Sequence, residues 1–211
     1  MVEFHIVNLR DFGKGSYRQI DDKPFGGGSG MVLMAEPLFK AIDHAMDLVG
    51  GPDNVRVIYP SPQGKTWNQD TAEETSQQEK LIVICGHYKG IDERVMEKYV
   101  THEYSLGDFV MTGGEIPAMV MLDSTVRLIP GTLNNLDSAL TDSFSQDLLD
   151  HPHYTHPREI DGMEVPEVLL GGYHAKIEAW RQEQKEKRTQ EKKPNLWKKF
   201  EKLKESEINH A

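Results

Sequence analysis

Leu81 to Pro117 reads LIVICGHYKGIDERVMEKYVTHEYSLGDFVMTGGEIP, and the fold class turns on how this stretch is read. Leu81-Ile82-Val83-Ile84-Cys85 is a short unbroken apolar run. Such a run, without alternation, is the pattern of a strand covered on both faces of a parallel sheet. It stops at Gly86, and Gly86-His87-Tyr88-Lys89-Gly90 leads into a polar helix. A second glycine-bearing loop follows, Ser105-Leu106-Gly107-Asp108-Phe109-Val110-Met111-Thr112-Gly113-Gly114-Glu115. Open α/β sheets hold their ligands beyond the carboxyl ends of the strands, where such loops lie. Either loop alone reads equally well as an ordinary turn. Together, with Tyr88 and Phe109 set among the glycines, they favour a pocket.

Upstream, Val55 to Tyr59 is a further strand, closed by Pro60-Ser61-Pro62-Gln63-Gly64. Gly64-Lys65-Thr66 is not a phosphate-binding loop, because that pattern needs glycine where Tyr59 stands. Glu36 to Val49 is an amphipathic helix with Pro37 in its first turn. Before it, Pro24-Phe25-Gly26-Gly27-Gly28-Ser29-Gly30-Met31 lacks the last glycine of a dinucleotide fingerprint. Its glycines imply unusual φ values and a backbone lying close to another backbone or to a ligand. Phe4-His5-Ile6-Val7 reads as a strand, and Asp11 to Lys23 as a polar loop presenting Arg18, Asp21 and Asp22. Thr66 to Lys80 reads as a surface helix.

Downstream, Pro117 opens a helix that is apolar nearly all round its first half. That composition calls for burial inside the protomer or against a second chain. Arg127 is a charge on the same helix and needs a partner or a task. Thr132 to Asp150 is a linker by composition. His151, His153 and His156 fall within six residues, but two prolines and the lack of a nearby cysteine or fixed carboxylate spacing make a weak metal motif. Gly171-Gly172 precedes a long helix, and Pro194 separates it from a last one carrying Trp197 and Phe200.

A chain of 211 residues with 37% hydrophobic and 27% charged residues describes a soluble globular protein. Nothing in it approaches the roughly 20 apolar residues of a membrane helix, and no signal peptide is visible. A single cysteine, Cys85, fits a reducing cytoplasm, and it reads as a structural core residue rather than a catalytic thiol. The formal net charge of −10 argues against nucleic acid, but its distribution argues for it. Lys176 to Lys204 carries eleven lysines and arginines against five glutamates, a local +6 that leaves −16 for the rest. Such a tail serves as a phosphate-contacting surface or as a solvated helix of mixed pairs.

Several of these motifs, in one order, resemble the bacterial tRNA (guanine-N1)-methyltransferase family, TrmD. The resemblance is carried by Asp21-Asp22-Lys23-Pro24-Phe25 with the glycine loop to Met31, by Ser61-Pro62-Gln63-Gly64, by Cys85 to Arg94 and by Ser105 to Ala118. Asp142-Ser143-Phe144, Pro152-His153-Tyr154-Thr155 and Gly162-Met163-Glu164-Val165-Pro166, followed by Leu169-Leu170, continue it into the C-terminal part of the chain. It implies an α/β fold of the SPOUT class, a Rossmann-like parallel sheet with a C-terminal trefoil knot, a rarity that no composition could suggest. Residues 1–132 would form the methyltransferase domain, 133–149 a linker and 150–211 a helical tRNA-binding domain. It further implies a cytoplasmic homodimer whose active site is shared between subunits, with the anticodon stem-loop as partner.

Carried over by position, S-adenosylmethionine would lie among Tyr59, Pro60, Ser61, Pro62 and Gly64, then Gly86, Tyr88 and Gly90, then Ser105, Leu106, Gly107, Phe109, Met111, Gly113 and Gly114. Asp142 matches the family's general base and Arg127 its catalytic arginine. Arg18 and Asp21 in the RNA-contacting loop, and Lys185, Arg188 and Lys192 on the basic tail, are the implied RNA contacts. Magnesium dependence is implied too, but Lys89 stands where many members carry Glu. Family members generally begin about thirty residues earlier, so the resemblance also implies a missing first strand and an exposed sheet edge. Two other functions fit less of the sequence: an inactive remnant that binds donor or RNA, and a metal-dependent hydrolase built on His151, His153 and His156.

Overall fold

The computed structural model describes residues 2–132, 142–144 and 146–208. The chain divides into two compact units, residues 1–134 and 135–211.

The first unit is built on a parallel sheet of three strands, β3 (Val55–Thr66), β4 (Lys80–Val83) and β5 (His102–Ser105), in the order β4-β3-β5. Val57 faces Ile82 and Ile58 faces Val83 across the β3–β4 ladder. Side chains alternate across a strand, and the core divides accordingly. Val57 and Tyr59 join Leu38 and Ile42 of α1 (Ala35–Leu48) and Val95 and Tyr99 of α3 (Glu93–Tyr99). Ile58, from the opposite face, joins Tyr104 and Met121 of α4 (Glu115–Val126), with α2 (Gln69–Ser76) packed against α4. Val57, Ile58, Val95 and Met121 are all at most 2% exposed. Burial of each side chain of this kind is worth about 2 kcal/mol.

Local chemistry sets the ends of these helices. The Asn68 side chain accepts from the Thr71 N–H (2.9 Å) to start α2, and Asp92 accepts from the Arg94 N–H (3.1 Å) to start α3. α1 stops at Gly50 and Gly51, whose φ angles of +82° and +101° suit glycine alone. On α4, Pro117, Ala118, Met121 and Thr125 turn inward. Ile116, Met119 and Val120 stay in solvent at 58%, 68% and 44% exposure.

Three features differ from the sequence reading. Phe4 to Val7 forms no strand: among the described residues no segment pairs with it, and Ile6 is 97% exposed. β3 runs on through the expected turn, and Tyr104 is opposite first Pro60 and then Lys65. The four residues between are extruded from the ladder, because Pro60 and Pro62 have no N–H to donate to it. In the glycine loop, which is framed by the short antiparallel pair β1 (Asp21–Asp22) and β2 (Val32–Leu33), Gly26, Gly27 and Gly28 have φ angles of +82°, +80° and +112°. An added Cβ at any of the three would meet no protein atom within 4 Å, so their conformation, and not a neighbouring backbone, calls for glycine.

The second unit contains a small hairpin of β6 (Glu159–Ile160) and β7 (Met163–Glu164) and two helices in mutual contact, α5 (His174–Lys192) and α6 (Pro194–Ile208). Pro194 occupies the first position of α6, where its missing N–H costs nothing. Residues 146–150, expected in the linker, are packed into this unit. Leu148 is 3% exposed, and the Leu149 N–H donates to the fully buried Thr189 hydroxyl (2.8 Å). The rest of the expected linker, residues 133–141 and 145, lies outside the described residues. Among the described residues no helix is long and apolar enough to cross a membrane.

Candidate functional site

The segment extruded within β3 and the loops that follow β4 and β5 line one open cleft of about 680 Å³, open solvent included. Tyr59 and Pro60 of β3, with Ser61 and Pro62 of the extruded segment, form the first wall. Ser61 is buried, and its hydroxyl accepts from the Gln63 N–H (3.1 Å), which fixes the turn. The second wall is a tight turn closed by the Gly90 N–H on the His87 carbonyl (3.1 Å). Tyr88 sits in that turn at φ +60°, a conformation a side-chain-bearing residue adopts at some cost. Its ring is half-exposed over the cleft. The third wall runs from Ser105 to Gly114. There the Ser105 hydroxyl both donates to the Gly107 carbonyl (3.0 Å) and sits against the Gly107 N–H (3.1 Å).

Glycine is required at two contacts between these walls. A Cβ on Gly86 would lie 2.8 Å from the Tyr59 ring, and one on Gly114 would lie 2.7 Å from the Gly86 nitrogen. The Gly114 N–H in turn donates to the Gly86 carbonyl (2.8 Å). The cleft is therefore shaped mainly by backbone, with the exposed aromatic side chains Tyr88 and Phe109 at its lining. A concave lining of glycine backbone, aromatic side chains and a few placed polar groups suits a small-molecule ligand.

Of the donor residues expected from sequence, Tyr59, Pro60, Ser61, Pro62, Gly86, Tyr88, Gly90, Ser105, Leu106, Gly107, Phe109, Met111, Gly113 and Gly114 line the cleft. Gly64 does not: it lies against the backbone of Glu103 and Tyr104, where a Cβ could not fit. His87, Lys89, Tyr104, Val110, Thr112 and Pro117 line it as well. His87 and Lys89 alternate with the glycines and Tyr88, so their place was open to view in the motif itself. Burial, then the charge of Glu115, pushes the Cys85 thiol up to about 11. It is a neutral thiol at physiological pH and no nucleophile. Burial and the nearby Glu103 raise the Tyr59 hydroxyl, against the pull of the Ile91 N–H.

Arg127 caps the C-terminal end of α4, its N–H bonded to the Asp123 carbonyl (3.2 Å). Asp142 belongs to the second unit and begins a turn that folds back on itself. The Ser143 hydroxyl accepts from the Asp150 N–H (3.0 Å), and the Phe144 N–H donates to the Leu148 carbonyl (2.7 Å). Arg18 is paired with Asp11 (2.8 Å) on an exposed turn, and Asp21 pairs with Leu33 in the β1–β2 ladder. On α5, Lys192 is exposed and Arg188 half-buried, whereas Lys185 is only 15% exposed and points to Asp150 (3.7 Å).

Asp150, His151 and His153 bring three possible metal-ligand atoms within 4.8 Å of one another; His156 is not in the group. Lys185 places a fixed positive charge on the same carboxylate, and His153 bonds it at 2.8 Å. These contacts make an ion-pair node centred on the Asp150 carboxylate. Partial burial raises the Asp150 carboxyl, but hydrogen bonds from His153 and the His151 N–H outweigh it and hold the group below its ordinary range.

The family model for tRNA (guanine-1)-methyltransferase, TrmD, matches residues 1–199. The chain belongs to that family. It is 51% identical over 200 residues to a tRNA (guanine-N(1)-)-methyltransferase of Brevibacillus brevis, covering 95% of this chain and 81% of that protein. A protein of the same name from Clostridioides difficile is 47% identical over 199 residues, 94% of this chain and 86% of the relative. One from Listeria welshimeri is 49% identical over 199 residues, 94% and 81% respectively.

Proposed function

We propose that this protein transfers the methyl group of S-adenosylmethionine to N1 of the guanosine just 3′ of the tRNA anticodon, position 37. The observation that carries this reading is a backbone-walled cleft, formed by the glycine loops themselves, in a chain matching this methyltransferase family over residues 1–199. The donor has no phosphate, which agrees with the lack of a phosphate-binding loop in the sequence. It supplies an electrophilic methyl on a sulfonium. Gly86 and Gly114 let the walls of the site close on Tyr59 and on each other, while Tyr88 and Phe109 would offer faces to its adenine.

The guanine N1 of a neutral base carries a proton and is a weak nucleophile. Asp142, as general base, would accept that proton as the carbon–nitrogen bond forms. Arg127 would stabilise the negative charge that develops on O6. The target nucleotide must leave its stack to be reached, which an anticodon loop permits more readily than a duplex. The cleft does not fit a divalent ion well: Lys89 lines it and would repel one, and no step is assigned to magnesium. The trefoil knot of the SPOUT class and a homodimer with a shared site belong to the same proposal. The exposed Ile116, Met119 and Val120 of α4 support the dimer, since an apolar face of this kind needs a partner.

The test is incorporation of labelled methyl from S-adenosylmethionine into an unmodified tRNA transcript with guanosine at position 37, against a matched transcript with adenosine there. Guanosine-dependent incorporation is the expected result. A folded chain that binds donor without transferring methyl overturns the proposal and makes the chain a binding remnant.

A further inference from the structure

Between the second and third walls of the cleft runs a contact that the proposed chemistry does not use. The His87 Nε2 and a Glu115 carboxylate oxygen are 2.6 Å apart, joining residues 28 positions apart in sequence. Around that pair the two loops are also joined by backbone. His87 and Gly113 form an isolated antiparallel bridge, and the Gly114 N–H donates to the Gly86 carbonyl. Gly113 has no room for a side chain because the pair occupies it: an added Cβ would stand 2.5 Å from the Glu115 carboxylate and 2.7 Å from the His87 ring. Glu115 is the first residue of α4, where a negative charge is favoured by the helix dipole. Partial burial raises its carboxyl, but the His87 hydrogen bond and its own backbone N–H bring it below its ordinary range. The carboxylate is thus held in the charged form that the contact needs.

We infer that His87 and Glu115 form a latch that holds the Gly86–Gly90 turn against the Gly113–Gly114 segment, setting the width of the cleft for the methyl donor. The two are positioning residues, acting through the loops rather than on the reacting atoms. The inference rests on the reading of the cleft as the S-adenosylmethionine site. Both side chains are about half exposed, so solvent screens the pair and its effect on binding is moderate.

Calorimetric titration of S-adenosylmethionine into the full chain tests the latch, with thermal denaturation checking that each variant is folded. His87→Ala and Glu115→Gln are each expected to weaken donor affinity about three- to tenfold, the scale of a partly screened charge-assisted hydrogen bond. The double variant should be no worse than either single one, and His87→Arg should restore most of the affinity. At saturating donor, kcat should be unchanged, so that the loss is confined to KM. Additive losses, unaltered affinity in both single variants, or a loss in kcat alone would overturn the latch. A wild-type chain that binds no donor would overturn the reading of the cleft itself, and the latch with it.

Discussion

The cleft of the first unit and the helix pair of the second are built from different materials. The cleft is made of backbone: glycines without room for a Cβ, a proline-driven bulge in β3, and carbonyls facing amides across loops. The α5–α6 pair carries charged side-chain contacts, with Lys185 on Asp150 and Lys199 on Asp147 (2.6 Å) tying it to the segment before the hairpin and Lys204 on Glu186 (3.9 Å) between the helices. A backbone-built site tolerates little change, because backbone atoms cannot step aside. A charge-built surface tolerates single substitutions but answers to salt and pH. The first arrangement suits a small ligand of fixed shape, the second a polyanion met in many registers.

The sharpest way to break this contrast is at the two residues proposed for catalysis. Arg127→Ala and Asp142→Ala should each slow single-turnover methyl transfer by about 10²- to 10⁴-fold while donor affinity stays near wild type. A variant that keeps its turnover loses its assigned role.

Smaller, but still decisive, is backbone crowding. Gly114→Ala puts a methyl 2.7 Å from the Gly86 nitrogen and 2.8 Å from Cys85 Cα, neither of which can step aside. It should cost about 1–3 kcal/mol by denaturant unfolding and impair donor binding. A neutral result would mean that the two loops are free to part.

On the charge-built side, affinity for the tRNA should fall steeply with added salt, and a flat response would remove the tail as the phosphate surface. Lys192→Ala should weaken binding severalfold, as loss of one exposed phosphate contact does. Lys185→Ala should weaken it less, because Asp150 already engages that ammonium. Equal effects in a filter-binding series would show that Lys185 turns outward to RNA.

The smallest expected effect is an acid response of the second unit. The Asp150 carboxyl lies below its ordinary value of 3.8 in the folded protein, so its contribution is present above that value and is lost as pH falls through the lowered one. Acid unfolding should therefore be milder in Asp150→Asn than in wild type. Identical acid profiles would mean that the node contributes nothing to stability.

Much of the first unit was legible in sequence because its signals are local. The unbroken apolar run at Leu81–Ile84 gives β4, and the amphipathic period at Glu36–Val49 gives α1. The β6–β7 hairpin was missed although its signal was present. Asp161-Gly162 is the dipeptide of a tight hairpin turn, and both residues have positive φ, +52° and +76°. The false strand at Phe4–Val7 shows the opposite error: β-branched and aromatic residues make a strand only where a neighbour completes the ladder.

Sequence alone determined the α/β class, the glycine loops that hold the cleft and the family to which the chain belongs. It did so because hydrophobic period and glycine placement act within a few residues. Only the tertiary structure decided that Gly64 turns to β5 rather than to the cleft, that His87 meets Glu115, and that Lys185 turns to Asp150. Such pairings depend on the path of the chain between residues, and no local pattern encodes that path. A lysine in a charged run reads the same whether it faces solvent or lies 3.7 Å from a carboxylate 35 residues back.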